Sequence, residues 1–261
     1  MIAAVLAAMT FSAVAADVYS SNIVGYKKVT IHPGLNMLGT GFGEIGVGSA
    51  QDMQNIFVDE DGIAVGGGNA VESDNIITWD PTAGGGLGGY TTYYKYYDGG
   101  SPEYDNVWYF ANETEITDPM ATSTGFWYNS LNTTSVVMTV SGEVNDEASV
   151  SITIHPGLNM IAFPFPAGFA INTDVDWAAS GAVGGGNAVE GDNIITWDPT
   201  AGGGLGGYVT YYMYYDGGSP AYDNVWYFAN ETEITDPVPV TTGFWYLHRG
   251  AGFTLTFDKP Y

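Results

Sequence analysis

Two copies of one acidic, glycine-rich segment contain the residues of this chain best suited to hold a metal ion. The segment reads DGGSPEYDN at Asp98–Asn106 and returns as DGGSPAYDN at Asp216–Asn224. Carboxylates spaced among glycines are typical of calcium-binding turns, although neither copy completes the twelve-residue EF-hand pattern. Asp is also a common turn residue, so a plain turn is the alternative. We expect no cofactor other than calcium, whose candidate ligands are Asp98, Asp105, Asp216 and Asp223.

Aromatic side chains form a second group with binding chemistry, because their rings stack on sugars. The chain has 7 Trp and 19 Tyr. Most aromatic side chains of a sandwich belong to its core. In the runs NVWYF and GFWY, however, neighbouring bulky residues point to opposite faces of a strand and cannot all face one core. We therefore expect some rings to be exposed, and the candidate carbohydrate-binding residues are Trp108, Trp127, Trp226 and Trp245.

The residues for nucleophilic catalysis are scarce. The chain has no Cys and three His, and His248 has no histidine counterpart in the first copy of the repeated sequence. A duplicated Ser–His–Asp or Cys–His set is therefore excluded. Pairs of carboxylates of the glycosidase kind stay open, since acidic residues are abundant. We expect a protein that is not an enzyme, in which His32 and His155, each followed by Pro–Gly, are turn residues.

All of these segments occur in pairs because the chain repeats itself. Residues 182–246 repeat residues 64–128 with 8 changes in 65 positions, and VTIHPGLNM returns as ITIHPGLNM 123 residues later. A repeat of about 120 residues has the size of a domain and far exceeds that of a solenoid unit. The sequence predicts one domain over residues 17–144 and another over residues 145–261, divided in the acidic stretch Glu143–Glu147.

Short runs rich in Thr, Val, Ile, Tyr and Trp, bounded by Gly, Pro, Asn and Asp, predict strands. In the first repeat they lie at Ile76–Trp79, Tyr90–Tyr97, Val107–Phe110, Gly125–Tyr128 and Ser135–Val140. Ser49–Phe57, with Ser49 as its N-cap, and Asn172–Ala179 are the candidates for a helix. The sequence thus predicts an all-β fold: two tandem antiparallel sandwich or barrel-like domains with at most one short helix each.

The differences between the repeats suggest an association surface. Thr91 and Lys95 become Val209 and Met213, whereas the intervening residues are unchanged. Because successive residues of a strand face opposite ways, we interpret the changed face as the outside, which is apolar in the second repeat. Neutral drift is the alternative. The predicted interface comprises Tyr208, Val209, Tyr211, Met213 and Tyr215, and Met213→Lys should dissolve the assembly while the monomer stays folded.

Charge and the first residues predict an exported protein. With 29 acidic and 5 basic residues the net charge is -24, which excludes nucleic acid as a partner, since phosphates need clustered Lys and Arg. Residues 1–16 are apolar, end in VAA and have the features of a signal peptide, although a basic start is lacking. At roughly 15 residues this stretch is too short to cross a bilayer comfortably. We expect a secreted or cell-surface protein without an integral membrane segment.

The chain resembles a group of secreted bacterial tandem β-repeat proteins. The resemblance rests on SSNIVGYKKVTI near the start, on the GFWY strand and on TVSGEV. It implies export and a β fold, and it implies no site, because no activity is established for that group. We therefore expect a non-enzymatic structural or adhesive protein that self-assembles at the cell surface or in an extracellular filament or matrix. A carbohydrate-binding protein that uses exposed Trp and Tyr side chains is the alternative.

Overall fold

The computed structural model describes residues 23–57, 63–116 and 118–261. The predicted signal peptide at residues 1–16 lies outside the described residues. The chain is 43% strand and 6% helix, and its strands form several antiparallel sheets. This confirms the all-β prediction, which rested on short β-branched and aromatic runs separated by turn residues.

Within the described residues the first repeat forms nine strands. They are β1 (Val24–Ile31), β2 (Gly34–Gly39), β3 (Ala50–Gln51), β4 (Asn75–Asp80), β5 (Gly89–Lys95), β6 (Trp108–Phe110), β7 (Met120–Ala121), β8 (Gly125–Ser130) and β9 (Val136–Glu143). The second repeat continues with β10 (Ser149–Ile154), β11 (Gly157–Ala162), β12 (Asn193–Asp198), β13 (Gly207–Tyr214), β14 (Val225–Phe228), β15 (Gly243–His248) and β16 (Phe253–Asp258).

The helices are single turns, and the predicted ones are shorter than expected. Met53–Asn55 forms a 3-10 turn, and its cap is Asp52, which accepts a hydrogen bond from the Gln54 N–H. In the second repeat α2 spans Trp177–Ser180. Two further turns, α1 and α3, connect strands at Ala83–Gly86 and Ala201–Gly204, and both contain glycines with positive φ. The helix predicted over Ser49–Phe57 is therefore wrong in extent, because its first residues pair as β3.

Each repeat builds a five-stranded antiparallel sheet and a two-stranded ribbon. The sheets have the strand orders β2-β8-β4-β5-β6 and β11-β15-β12-β13-β14, which are equivalent in the two repeats. The ribbons are β1-β9 and β10-β16, and a short pair, β3-β7, completes the first repeat. No strand of one repeat joins a sheet of the other in the described part of the chain. The connection from β9 to β10 falls at residues 144–148, in the stretch where we expected the division.

Each ribbon covers one face of its own sheet and closes a buried core. In the first repeat Ile31 and Met138 of the ribbon share a cluster with Ile76 and Phe126 of the sheet. A second cluster, built only from residues of the second repeat, joins Ile154 and Phe257 to that repeat's sheet. Full burial of such a side chain contributes about 1.5–3 kcal/mol, so each repeat holds a substantial core of its own.

The opposite faces of the two sheets pack against each other. Met37 and Trp127 of the first repeat meet Met160 and Trp245 of the second in a third buried cluster. The Trp79 and Trp197 rings lie edge-on to Trp245 and Trp127, with centroids 5.6 and 5.5 Å apart.

Hydrogen bonds fix this contact with the same pattern in both directions. The Trp79 indole N–H donates to the Leu158 carbonyl at 2.8 Å, and the Trp197 N–H donates to the Leu35 carbonyl at 2.8 Å. At Gly243 an added Cβ would collide with the Leu38 carbonyl oxygen, so only glycine permits this approach. The repeats therefore stack as ribbon, sheet, sheet and ribbon.

Candidate functional site

The strand face predicted to be the self-association surface points into the protein. Met213 is 0% exposed and belongs to the core of the second repeat, against which Tyr211 also packs. Val209 is half-buried on the same face, whereas Tyr208 and Tyr215 are exposed. The interpretation of Val209 and Met213 as an outer surface is therefore wrong.

Two buried carboxylates explain why Lys95 and Met213 differ. In the first repeat Asp74 is fully buried and accepts hydrogen bonds from the Tyr128 hydroxyl and from the backbone N–H groups of Leu131 and Val65. Burial raises the pKa of Asp74, and the hydrogen bonds from Leu131, Tyr128 and Val65 oppose that rise more than the positive charge of the buried Lys95 does. Lys95 thus adds a favourable charge to a carboxylate that is held mainly by hydrogen bonds.

The second repeat places a histidine beside its buried carboxylate. Asp192 accepts from the Tyr246 hydroxyl at 2.7 Å and pairs with Nδ1 of His248 at 2.9 Å, with both partners buried. His248 occupies the position of Ser130 in the first repeat, and Met213 occupies that of Lys95. The apolar Met213 follows from this exchange of partners on the core side of the sheet.

The four tryptophans proposed for sugar binding are all buried. Trp108 and Trp226 belong to the cores of the first and second repeat. Trp127 and Trp245 lie between the two sheets, where each touches a tryptophan of the other repeat. The prediction that these rings are exposed for stacking on a sugar is therefore wrong, because the sheets are covered on both faces where the tryptophans lie.

Tyrosines, in contrast, line an open depression in each repeat. In the first repeat a cavity of about 220 Å³ is lined by Tyr94, Tyr96, Tyr104, Tyr109 and Glu113. In the second, a cavity of about 370 Å³ is lined by the equivalent residues together with one glycine, namely Tyr212, Tyr214, Tyr222, Tyr227, Glu231 and Gly186. We call these the tyrosine depressions. They lie on the sheet face opposite the core, and sequence reasoning missed them.

Strand pairing sets the positions of the rings. Tyr94 and Tyr96 are two residues apart on one face of β5, and Tyr109 of β6 is the cross-strand partner of Tyr94. The Tyr109 centroid lies 6.4 Å from that of Tyr94 and 5.9 Å from that of Tyr96, with ring planes inclined by 40° and 75°. The second repeat reproduces this arrangement, with distances of 6.4 and 6.0 Å around Tyr227. The rings therefore form walls at different angles around each depression.

The glutamate of each depression sits on a tight turn with an unfavourable backbone conformation. Glu113 has φ 67° and Glu231 has φ 66°. The Glu113 N–H donates to the Phe110 carbonyl at 2.9 Å, which closes the turn after β6. The left-handed region costs a residue with a Cβ roughly 1–2 kcal/mol. Strain of this kind concentrates at functional sites, and here both repeats carry it.

The acidic segment next to each depression supports the tyrosines. The Asp98 carboxylate accepts from the Gly100 N–H at 2.7 Å and from the Tyr96 hydroxyl at 2.8 Å, and Asp105 accepts from the Asp98 N–H. These donors lower the pKa of Asp98, and the hydrogen bond to Asp98 raises the pKa of Tyr96 to about 12. At neutral pH the carboxylate is therefore ionised and the Tyr96 hydroxyl keeps its proton.

Calcium binding by these segments stays a prediction. Asp216 and Asp223 repeat the hydrogen bonds of Asp98 and Asp105 to loop N–H groups. Among the residues that the structure describes, no group of three or more His, Cys, Asp or Glu side chains is placed to hold a metal ion. The four carboxylates therefore act in the described structure as acceptors that close their own loops.

We expect calcium to raise the melting temperature above that in sodium chloride of equal ionic strength. A ligand that binds only the folded state stabilises it by about 2.7 kcal/mol at 100 times its Kd. The measurement is thermal unfolding in the two salts, with the variant Asp105→Asn/Asp223→Asn as the control that should abolish the difference. Equal melting temperatures for the parent protein in the two salts would assign these aspartates to loop closure alone.

Comparison with known proteins does not indicate what these sites bind. No protein-family model, curated protein or solved structure gives a significant match to the chain. The resemblance to secreted β-repeat proteins therefore stays a hypothesis. Within residues 23–57, 63–116 and 118–261, no helix has the length and apolar character needed to span a membrane.

Proposed function

We propose that this chain is a secreted, non-enzymatic adhesive protein that binds polysaccharide at two equivalent sites, one in each repeat. The observation that carries the proposal is the pair of tyrosine depressions. Each is open to solvent, and each combines aromatic faces with hydroxyl groups and one carboxylate.

The chemistry of tyrosine suits a sugar ligand. A tyrosine ring offers an apolar face for the C–H groups of a sugar, while its hydroxyl exchanges hydrogen bonds with sugar hydroxyls. Tyr104 and Tyr222 are 53% and 59% exposed, so rings at the rim are accessible without any rearrangement of the sheet.

Binding fits the depressions better than hydrolysis. The usual glycosidase mechanism places two carboxyl groups on either side of the scissile bond. In the first repeat the lining residues include one carboxylate, Glu113, and in the second repeat they include Glu231. A backbone turn sets the position of both glutamates in the chain, and their exposed side chains are accessible to a bound polysaccharide.

Adhesion follows from the number of sites. One molecule with two glycan sites bridges two polysaccharide chains, or binds one chain at both sites. The hypothesis of self-assembly through Val209 and Met213 loses the observation that supported it, since that strand face lies inside the protein. Our proposal therefore assigns adhesion to contacts with polysaccharide and leaves self-assembly as a separate, untested hypothesis.

We expect the variant Tyr109→Ala/Tyr227→Ala to lose binding to the polysaccharide that the parent protein retains. Truncation of a central aromatic residue in a binding site typically costs about 2 kcal/mol, or roughly 30-fold in affinity per site. Affinity electrophoresis through gels that contain soluble polysaccharides measures this loss. It first identifies a polysaccharide that retards the parent protein and then compares the variant on the same polysaccharide.

The matched control is Tyr97→Ala/Tyr215→Ala. These tyrosines are both 49% exposed and lie next to the depressions in sequence, yet they are not among the lining residues. The Tyr97→Ala/Tyr215→Ala variant should be retarded in the gels like the parent protein. Equal retardation of the Tyr109→Ala/Tyr227→Ala variant would mean that the polysaccharide binds elsewhere and would contradict the proposal.

A further inference from the structure

The tyrosine depressions have a strongly negative electrostatic character. Glu113 lines the first depression, and Asp98 is hydrogen-bonded to one of its tyrosines. Burial raises the pKa of Tyr94 and of Tyr109, and the charges of Glu113 and Glu115 raise these two values further. The tyrosines therefore stay neutral at physiological pH while carboxylates surround them.

Basic side chains are kept away from both depressions. Lys27 and Lys28 lie on the β1 ribbon, and Lys95 is buried on the core side of β5. Arg249 binds the carbonyls of Gly191 and Ala188, and Lys259 donates to the carbonyl of Asp146. These are all five Lys and Arg residues of the chain, and none of them lines a depression. An anionic ligand would find no basic partner there.

Inclined aromatic walls with a carboxylate are the arrangement that favours an organic cation. The face of a tyrosine ring is electron-rich, and a cation within about 6 Å of the centroid is attracted by roughly 0.5–2 kcal/mol. In the first repeat Tyr96 and Tyr109 present partly exposed rings above the buried Tyr94, and in the second repeat Tyr214 and Tyr227 stand in the same way beside the buried Tyr212. Glu113 and Glu231 add a full negative charge to each.

We propose that each tyrosine depression binds an organic ammonium group, so that the polysaccharide recognised is one whose sugars carry free amines. This inference rests on the proposed function and names its ligand class. Acidic polysaccharides are repelled, because each depression lacks a basic residue and the whole chain has a net charge of -24. The same negative field attracts a polycationic chain and speeds its encounter with the protein.

The test is calorimetric titration of the full chain with oligosaccharides of equal length. A glucosamine oligomer supplies free amines, its N-acetylated form supplies the same sugar without charge, and a uronic acid oligomer supplies carboxylates. We expect the free-amine oligomer to bind roughly tenfold more tightly than the acetylated one, and the uronic acid oligomer not to bind. Tetramethylammonium should compete with the free-amine oligomer, because it offers the cation alone.

The variant Glu113→Gln/Glu231→Gln isolates the charge. It keeps the size of the side chain and one acceptor oxygen, and we expect it to lower affinity for the free-amine oligomer roughly tenfold while leaving the acetylated oligomer unaffected. The matched control is Asp118→Asn/Asp236→Asn, which removes two exposed charges that line neither depression. This control should retain the affinity of the parent protein.

The outcomes separate this inference from the proposed function. Equal binding of the free-amine and acetylated oligomers, unchanged in the Glu→Gln variant, would overturn the ammonium inference and leave the polysaccharide proposal standing. Binding of tetramethylammonium and of a lysine oligopeptide, but of no sugar, would support the ammonium site and contradict the polysaccharide proposal. Failure of every probe to bind would overturn the ammonium inference, and the absence of any retarding polysaccharide in the gels would overturn the proposed function.

Discussion

Replacing Asp192 with Ala is expected to lower the free energy of unfolding by about 3–5 kcal/mol, because several buried donors lose their acceptor at once and each costs about 1–3 kcal/mol. The Asp192 carboxylate accepts hydrogen bonds from the Tyr246 hydroxyl and from the Val183 and Arg249 backbone N–H groups, and it pairs with His248. Its loss leaves buried donors without an acceptor. Denaturant unfolding followed by tryptophan fluorescence measures the change.

The control for this variant is Asp236→Ala, an exposed carboxylate of the same repeat, which should change stability by less than about 0.5 kcal/mol.

A second test transfers residues of the first repeat into the second. Met213→Lys and His248→Ser should each destabilise the protein, and their combination should recover part of the loss, since it restores the arrangement of Lys95 and Ser130. Strict additivity of the two changes would show that positions 213 and 248 do not act on the same carboxylate.

The exchange of Lys95 and Ser130 for Met213 and His248 also shows why the sequence did not predict which face of β5 and β13 is exposed. Alternation along the strand correctly separates two faces, and the changes at 91 and 95 do fall on one of them. A polar residue replaced by an apolar one usually marks a surface, but Lys95 is buried and acts on Asp74. The compensating residue, His248, is 35 positions beyond Met213 in sequence. A pattern read along one strand contains no information on such a distant partner.

Strand positions, in contrast, follow from local physical chemistry. The predicted strands at Ile76–Trp79 and Gly125–Tyr128 lie within β4 and β8, because alternation, β-branched residues and flanking turn residues are properties of a few neighbouring positions. Which faces are covered depends on how the repeats stack. Packing of Trp127 on Trp197 is a contact between the repeats, so the sequence of either repeat alone does not disclose it.

The tyrosine depressions had a signal in the sequence. Tyr94, Tyr96 and Tyr109 are identical in the second repeat, and the strand alternation places the first two on one face. The sequence alone did not predict that these rings come together, because this depends on the pairing of β5 with β6, which brings Tyr109 opposite Tyr94. The tryptophans are the wrong residues for an exposed site, since these larger rings fill the cores and the contact between the repeats.

Variants with one intact depression are expected to bind a polysaccharide surface roughly 10²–10⁴ times more weakly than the parent protein, far beyond the twofold loss of sites. Tyr109→Ala disables the first depression and Tyr227→Ala the second. The second binding event of the parent protein is intramolecular, because the two sheets are joined by the Trp79 and Trp197 hydrogen bonds to the opposite repeat. Each single variant should therefore bind a short oligosaccharide at half the stoichiometry with unchanged affinity.

Surface plasmon resonance on polysaccharide immobilised at high and low density measures this difference. The gap between the parent protein and either single variant should be large at high density and should shrink at low density, where neighbouring chains are too far apart to be bridged. Tyr97→Ala serves as the control and should behave like the parent protein at both densities. A twofold loss at every density would mean that the two depressions cannot engage one surface together, because the stacked repeats orient them apart; adhesion would then arise only by bridging separate chains.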